Sequence, residues 1–202
     1  MSTSKNRPSN EWAHRIDSGL HRMSDHILQH FPACNGSYMD QIAALHLYVY
    51  EKVEYESRNF ETSPRSLRMP RECWRRGGNC QEQIMLLASL LKTIPEVEMR
   101  TKGLTDNEQN RIGHRILEVR IPAGPDTFKS YLKDFYDRTQ HFEGEPSKMS
   151  WSIVKNKDDS WIVADPEFSS FLGDLSEHRK QGYVVDSDGS WTWHQVDTED
   201  PV

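Results

Sequence analysis

At 202 residues, with 35% hydrophobic and 28% charged residues, the chain suits one domain of generous size with a real core. Its formal net charge of −6 argues against a general affinity for nucleic acid or an anionic membrane. No apolar run approaches the roughly eighteen residues of a spanning helix, and the opening MSTSKNRPSNEW lacks the apolar core of a secretion signal. The expectation is a cytoplasmic protein without nucleic-acid or membrane partners.

Residues 1 to 10 read as a flexible terminus. From Glu11, the apolar residues Trp12, Ile16, Leu20, Met23, Ile27 and Phe31 recur at helical spacing until Pro32 stops them. The same stretch carries His14, His21, His26 and His30. His26 and His30 have a spacing that suits a metal, but no third ligand accompanies them, and they read as a solvated face. A second helix is expected from Tyr38 to Val53, with Met39, Ile42, Leu45, Val49 and Val53 inward. A polar loop follows, punctuated by Pro64 and Pro70. Arg65, Arg68, Arg71, Arg75 and Arg76 cluster there. Such a run is usually a solvated or ion-paired surface; close to a thiol it would also favour ionisation and attract an acidic substrate.

The stretch RRGGNCQEQIMLLASLLKTI, residues 75–94, organises the rest. Asn79 followed three residues later by Glu82 has the form of a capping box, which places Cys80 at the first helical position. Unpaired N–H groups and the positive end of the helix dipole favour a thiolate there. Gly77 and Gly78 leave the sulfur uncrowded. Taken alone, Cys80 is equally readable as a buried structural cysteine. Cys34, Cys73 and Cys80 cannot all pair within the chain, and no CxxC pair suggests structural zinc. Cys73 has no capping signal of its own and reads as a bystander.

After Pro95 the segment 97–103 alternates like a strand, and so does 112–121, which His114 opens. Residues 122–150 interrupt the sheet with an amphipathic helix bearing Phe128, Tyr131, Leu132, Phe135, Tyr136 and Phe142, followed by a loop. SWIVAD, residues 160–165, is a short strand ending in Asp165, an acid that needs a partner such as a histidine. FSSFLGDL is a turn or short helix. Val184-Val185 and Trp191-Thr192-Trp193 form a hairpin, and residues 198–202 are a flexible tail. One domain over 11–197 is expected.

Cys80, His114 and Asp165 together make a cysteine–histidine–acid set. In such a set the histidine takes the thiol proton, the acid fixes its tautomer, and the thiolate attacks a carbonyl to give a thioester. The Cys80 backbone N–H is a natural oxyanion donor. No metal and no cofactor are called for.

The order and spacing of LHLYVYEKVEY, SPRSL, GGNCQEQIMLLASLLKTI, GHRILEV and SWIVADPEF resemble the transglutaminase-like superfamily over residues 40 to 170. The resemblance implies Cys80 as nucleophile, His114 as general base and Asp165 as its orienter. It also implies an α+β, papain/transglutaminase-like core: N-terminal helices, a Cys-bearing helix packed on an antiparallel β-sheet, and a helical insertion between the His and Asp strands. Two features depart from the family pattern: Arg115 and Ile116 follow the histidine, and about thirty extra residues separate the two strands. The superfamily often takes a second oxyanion donor from upstream; Tyr55, Trp74, Gly78 and Gln81 are candidates for that donor or for the cleft wall. RGGNCQE is also similar to a segment of arylamine N-acetyltransferases, which use a triad of the same descent, although the chain is short for that family.

The implied activity is acyl transfer at an amide or peptide, by hydrolysis or transamidation through a thioester at Cys80, with a protein or peptide as substrate. The alternatives are a silent transglutaminase-like binding module, working through the aromatic insertion and the tryptophan hairpin, and an arylamine N-acetyltransferase-like enzyme. A metal-dependent hydrolase using the N-terminal histidines is a more distant third.

Overall fold

The structure, a computed structural model, describes residues 20–29, 37–57, 67–106, 111–121, 125–139, 153–155, 160–185 and 191–193. Helix α1 spans His21–Gln29, α2 Tyr38–Lys52, α3 Pro70–Arg76 and α4 Cys80–Leu91. Strands β1 (Met99–Asp106) and β2 (Arg111–Ile121) precede α5 (Pro125–Thr139). Strands β3 (Ile153–Lys155) and β4 (Ser160–Ala164), helix α6 (Ser176–Lys180), and strands β5 (Tyr183–Val185) and β6 (Trp191–Trp193) complete an α+β arrangement.

Local chemistry accounts for where α2 and α4 begin. Ser37 caps α2, its hydroxyl accepting from the Asp40 N–H at 3.1 Å. Asn79 and Glu82 form the expected reciprocal box at the start of α4. Helix α4 is buried on nearly all sides and correspondingly central, with Ile84, Leu86, Leu87, Leu90 and Leu91 all buried. Its leucines share a core with Ile42, Leu45 and Val49 of α2, Leu117, Val119 and Ile121 of β2, and Ile162 and Ala164 of β4. Burying each such side chain stabilises the fold by about 1.5–3 kcal/mol.

The main sheet has the order β1-β2-β4-β3 with every pair antiparallel. Between β1 and β2 the register shifts: Leu104 pairs with His114 but Thr105 with Ile112, leaving Gly113 as the extra residue of a bulge. By alternation, His114 shares a face with Ile116, and Asp165 shares one with Val163. Ile116 and Val163 pack with Leu104, Leu175 and Tyr183, on the side opposite the core that holds α4. His114 thus sits near the start of β2 and Asp165 just past the end of β4, and the N-terminus of α4 brings Cys80 to them.

The expected interruption contains α5, and its aromatic stripe points inward. Phe128, Leu132, Phe135 and Tyr136 are buried in the α2–α4 core. Arg138 pairs with the buried Asp40 of α2 at 3.2 Å, and Tyr131 bonds the Ser37 hydroxyl. The Tyr136 hydroxyl accepts from the Leu172 N–H at 2.7 Å, fastening α5 to the loop after Asp165. Three elements were not anticipated: α3, begun by Pro70 at its first position, and the short β3 and α6. Strand β1 begins and ends later than the expected 97–103. The first helix is described only from His21 to Gln29, preceded by a 3₁₀ residue at Leu20. The readings made for 1–10, Trp12, His14, Ile16, His30, Cys34, Phe142 and the C-terminal tail lie outside the described residues. Among the described residues, no helix is long and apolar enough to cross a membrane.

Candidate active site

Cys80, His114 and Asp165, far apart in sequence, meet at the strand ends. His114 Nε2 lies 2.5 Å from Asp165 Oδ2, and the same ring shares a hydrogen bond with the Cys80 thiol. Because Nε2 faces the aspartate, Nδ1 faces the sulfur. Burial alone would depress the charge on His114, but the Asp165 carboxylate and its hydrogen bond overcome that and lift the ring to about 10. Burial would likewise raise the Asp165 carboxyl; the His114 charge and bonds from two imidazoles hold it well below the usual carboxylate range. The ring is thus kept as imidazolium, the form that pairs with a thiolate.

Cys80 is only 1% exposed, yet its neighbours are polar. The Arg115 guanidinium is close enough to interact electrostatically with the sulfur. The upstream cluster reads mainly as a solvated or ion-paired surface, with help to the thiol as the lesser option. Accordingly Arg71, Arg75 and Arg76 sit exposed on α3, and Arg68 braces the turn before the helix. Arg68 pairs with Glu56 at 2.9 Å, donates to the Gly77 carbonyl at 2.5 Å, and its N–H donates to the capping residue Glu82 at 2.7 Å. Gly77 needs its positive φ of 76°, and a Cβ there would fall 2.4 Å from the Glu54 carbonyl oxygen.

The other sequence candidates separate. Tyr55 is half exposed and its hydroxyl donates to Glu167, itself beside the sulfur, so it lines the site. Gln81 follows the cysteine, and its backbone N–H, like that of Cys80, belongs to the first turn, where helices lack intrahelical acceptors. The Gly78 N–H donates to the Glu54 carbonyl at 3.0 Å in a bridge between Tyr55 and Gly78. The Trp74 indole N–H donates to the Tyr48 hydroxyl at 3.0 Å. Cys73 is fully buried, and burial pushes its thiol up to about 12, in keeping with a bystander.

Several residues of the site were missed. His178 of α6 lies 2.7 Å from the Asp165 oxygen that also holds His114. Phe168 stacks on the His114 ring at 4.3 Å between centroids and 11° between planes. Glu167 donates its backbone N–H to Asp165 Oδ1 at 3.0 Å, while its carboxyl lies 3.3 Å from His114 Nδ1. Burial raises that carboxyl to about 7. His46 of α2, wholly buried against the backbone of Asp165 and Ser170, is lowered by burial to about 4 and stays neutral. Glu167 and Phe168 were within reach of a sequence reader as the two residues after Asp165-Pro166. Nothing in the polar SEHRK segment marks His178.

Comparison with family models, with curated proteins and with solved structures finds no match.

Proposed function

We infer that the protein is a cysteine-dependent acyl-transfer enzyme with a transglutaminase-like, papain-type core, carrying the acyl group of an amide or peptide as a thioester on Cys80. The single observation that supports this is the one imidazole bridging Cys80 and Asp165, with Asp165 Oδ2 at 2.5 Å from Nε2. The Cys80 thiolate attacks the amide carbon and the carbonyl oxygen becomes an oxyanion. First-turn N–H groups of Cys80 and Gln81, which lack intrahelical acceptors, stabilise it. His114 gives its Nδ1 proton to the leaving amine and the thioester remains. Water or a primary amine then loses a proton to Nδ1 as it attacks, and Cys80 is released. Throughout, Asp165 keeps the ring oriented and its charge neutralised.

The binding-module alternative draws on the aromatic insertion and the tryptophan hairpin, and in the insertion Phe128, Phe135 and Tyr136 are buried core residues. That favours the enzyme. Iodoacetamide labelling across pH is the test, since a thiol activated by an imidazolium is labelled with a midpoint well below the free-thiol value of about 8.5. A value at or above it would sink the reading. Incorporation of a fluorescent primary amine into casein, against ammonia release without incorporation, separates transamidation from hydrolysis.

A further inference from the structure

Two groups of described side chains offer three metal-ligating atoms within 4.8 Å of one another: His114, Asp165 and His178, and Cys80, His114 and Glu167. The first set is closed on itself, because Asp165 Oδ2 already bonds both rings. The second is open. Glu167 Oε2 is buried with no hydrogen-bond partner; it approaches His114 Nδ1 to 3.3 Å without hydrogen-bond geometry. That contact is an ion pair with the imidazolium rather than a hydrogen bond, so the buried oxygen keeps a lone pair that a metal ion displacing the ring proton could take.

The spacing also fits an ion. A tetrahedral zinc with ordinary Zn–N and Zn–O lengths holds its nitrogen and oxygen ligands about 3.4 Å apart. Thiolate, imidazole and carboxylate together suit a borderline-soft cation, whereas magnesium and calcium take oxygen shells. The outer partners are present as well. Asp165 orients the ring from Nε2, and the Tyr55 hydroxyl holds Glu167.

We propose that Cys80 Sγ, His114 Nδ1 and Glu167 Oε2 bind a zinc-class divalent cation, and that the bound ion silences the thiol. The sulfur lone pair that would attack substrate is donated to the ion, and the proton shared by Sγ and Nδ1 leaves to solvent. Binding rests on the geometry of the three atoms. Only its consequence, inhibition, rests on the proposed acyl-transfer reading.

The test uses the full chain, Zn²⁺ for stoichiometry and Cd²⁺ as a spectroscopic probe. Equilibrium dialysis should show one zinc fewer per chain in Cys80→Ala than in wild type. Cd²⁺ should give an ultraviolet sulfur-to-metal charge-transfer band that Cys80→Ala lacks. Zinc should slow iodoacetamide labelling of Cys80 at least tenfold, and a chelator should restore it. Glu167→Gln should weaken zinc binding at least tenfold, with circular dichroism showing a native fold, while Glu177→Gln on α6 should change nothing. Zinc binding that survives Cys80→Ala undiminished, a missing band, or wild-type affinity in Glu167→Gln overturns the proposal. A protein that shows the band but never forms an acyl-enzyme refutes the acyl-transfer reading and leaves the metal site standing. An active enzyme indifferent to zinc does the reverse.

Discussion

His178 Nε2 sits 2.7 Å from Asp165 Oδ2, the same oxygen that lies 2.5 Å from His114 Nε2. One carboxylate oxygen thus serves two imidazoles, and its partner oxygen takes the Glu167 N–H. The aspartate is held from three directions, which fixes the plane in which it presents itself to His114. Replacing His178 with Phe removes one donor and leaves the Asp165 charge less neutralised. The expected result is about a tenfold loss in kcat/KM, equivalent to ~1.4 kcal/mol, with KM little changed. The alkaline limb of the pH–rate profile should move to higher pH, because a less satisfied carboxylate holds the His114 proton more tightly. His178→Asn, which keeps an N–H donor, should recover part of the rate. A merely structural role for His178 would lower activity without moving the limb.

Glu167 titrates at about 7 next to Cys80, so a negative charge appears beside the sulfur as pH passes neutrality. The pH profile of iodoacetamide labelling should carry an inflection near that value. Glu167→Gln should erase the inflection while the remaining profile persists. Retention of the inflection in the variant would assign it to another group.

Two buried groups should give stability opposite slopes with pH. His46 falls from its ordinary 6.5 to about 4 in the fold, so the unfolded chain binds the proton first and stability drops as pH falls from about 6.5 to 4. Glu167 rises from 4.5 to about 7, so stability drops as pH rises from about 4.5 to 7. Each shift corresponds to at most about 3.5 kcal/mol, and in the wild-type chain the two partly cancel. Urea unfolding at half-unit pH steps should show stability rising with pH more steeply in Glu167→Gln. His46→Gln should show the opposite tilt. Parallel curves for all three proteins would contradict the burial of these groups.

Gly78 is packed too closely for any side chain. A Cβ there would lie 2.8 Å from Cys73 Sγ and from two Glu82 side-chain atoms, one of them a carboxylate oxygen of the capping box. Gly78→Ala should destabilise the protein by about 1–3 kcal/mol. It should also slow Cys80 labelling, because Glu82 cannot yield without disturbing the first turn of α4. Gly77→Ala should cost more, since it adds a left-handed φ to the clash with Glu54. Thermal unfolding of both variants beside Asn79→Ala, expected to lose about 1 kcal/mol, would separate cap from packing.

The sequence alone determined the features that rest on short-range chemistry. Asn79 and Glu82 bond across three residues, so the start of α4 and the position of Cys80 were readable from the letters. The periods of α2 and α5 and the apolar runs of β2 and β4 were legible for the same reason: each repeats along one element. His114 and Asp165 could be named from their places at strand ends, and the fold brings both to Cys80. Tertiary structure decided everything that depends on how elements cross. The bulge at Gly113, the sheet order and the seating of α6 put His178 on Asp165 and the Glu167 carboxyl beside the sulfur, and no spacing in SEHRK or DPEF encodes those distances. Charge near the thiol came from Arg115 rather than the arginine cluster, because Arg71, Arg75 and Arg76 face solvent on α3. Burial made the same kind of decision for the titrating groups. Identical imidazoles became neutral at His46 and charged at His114 because one is buried against backbone and the other meets a carboxylate.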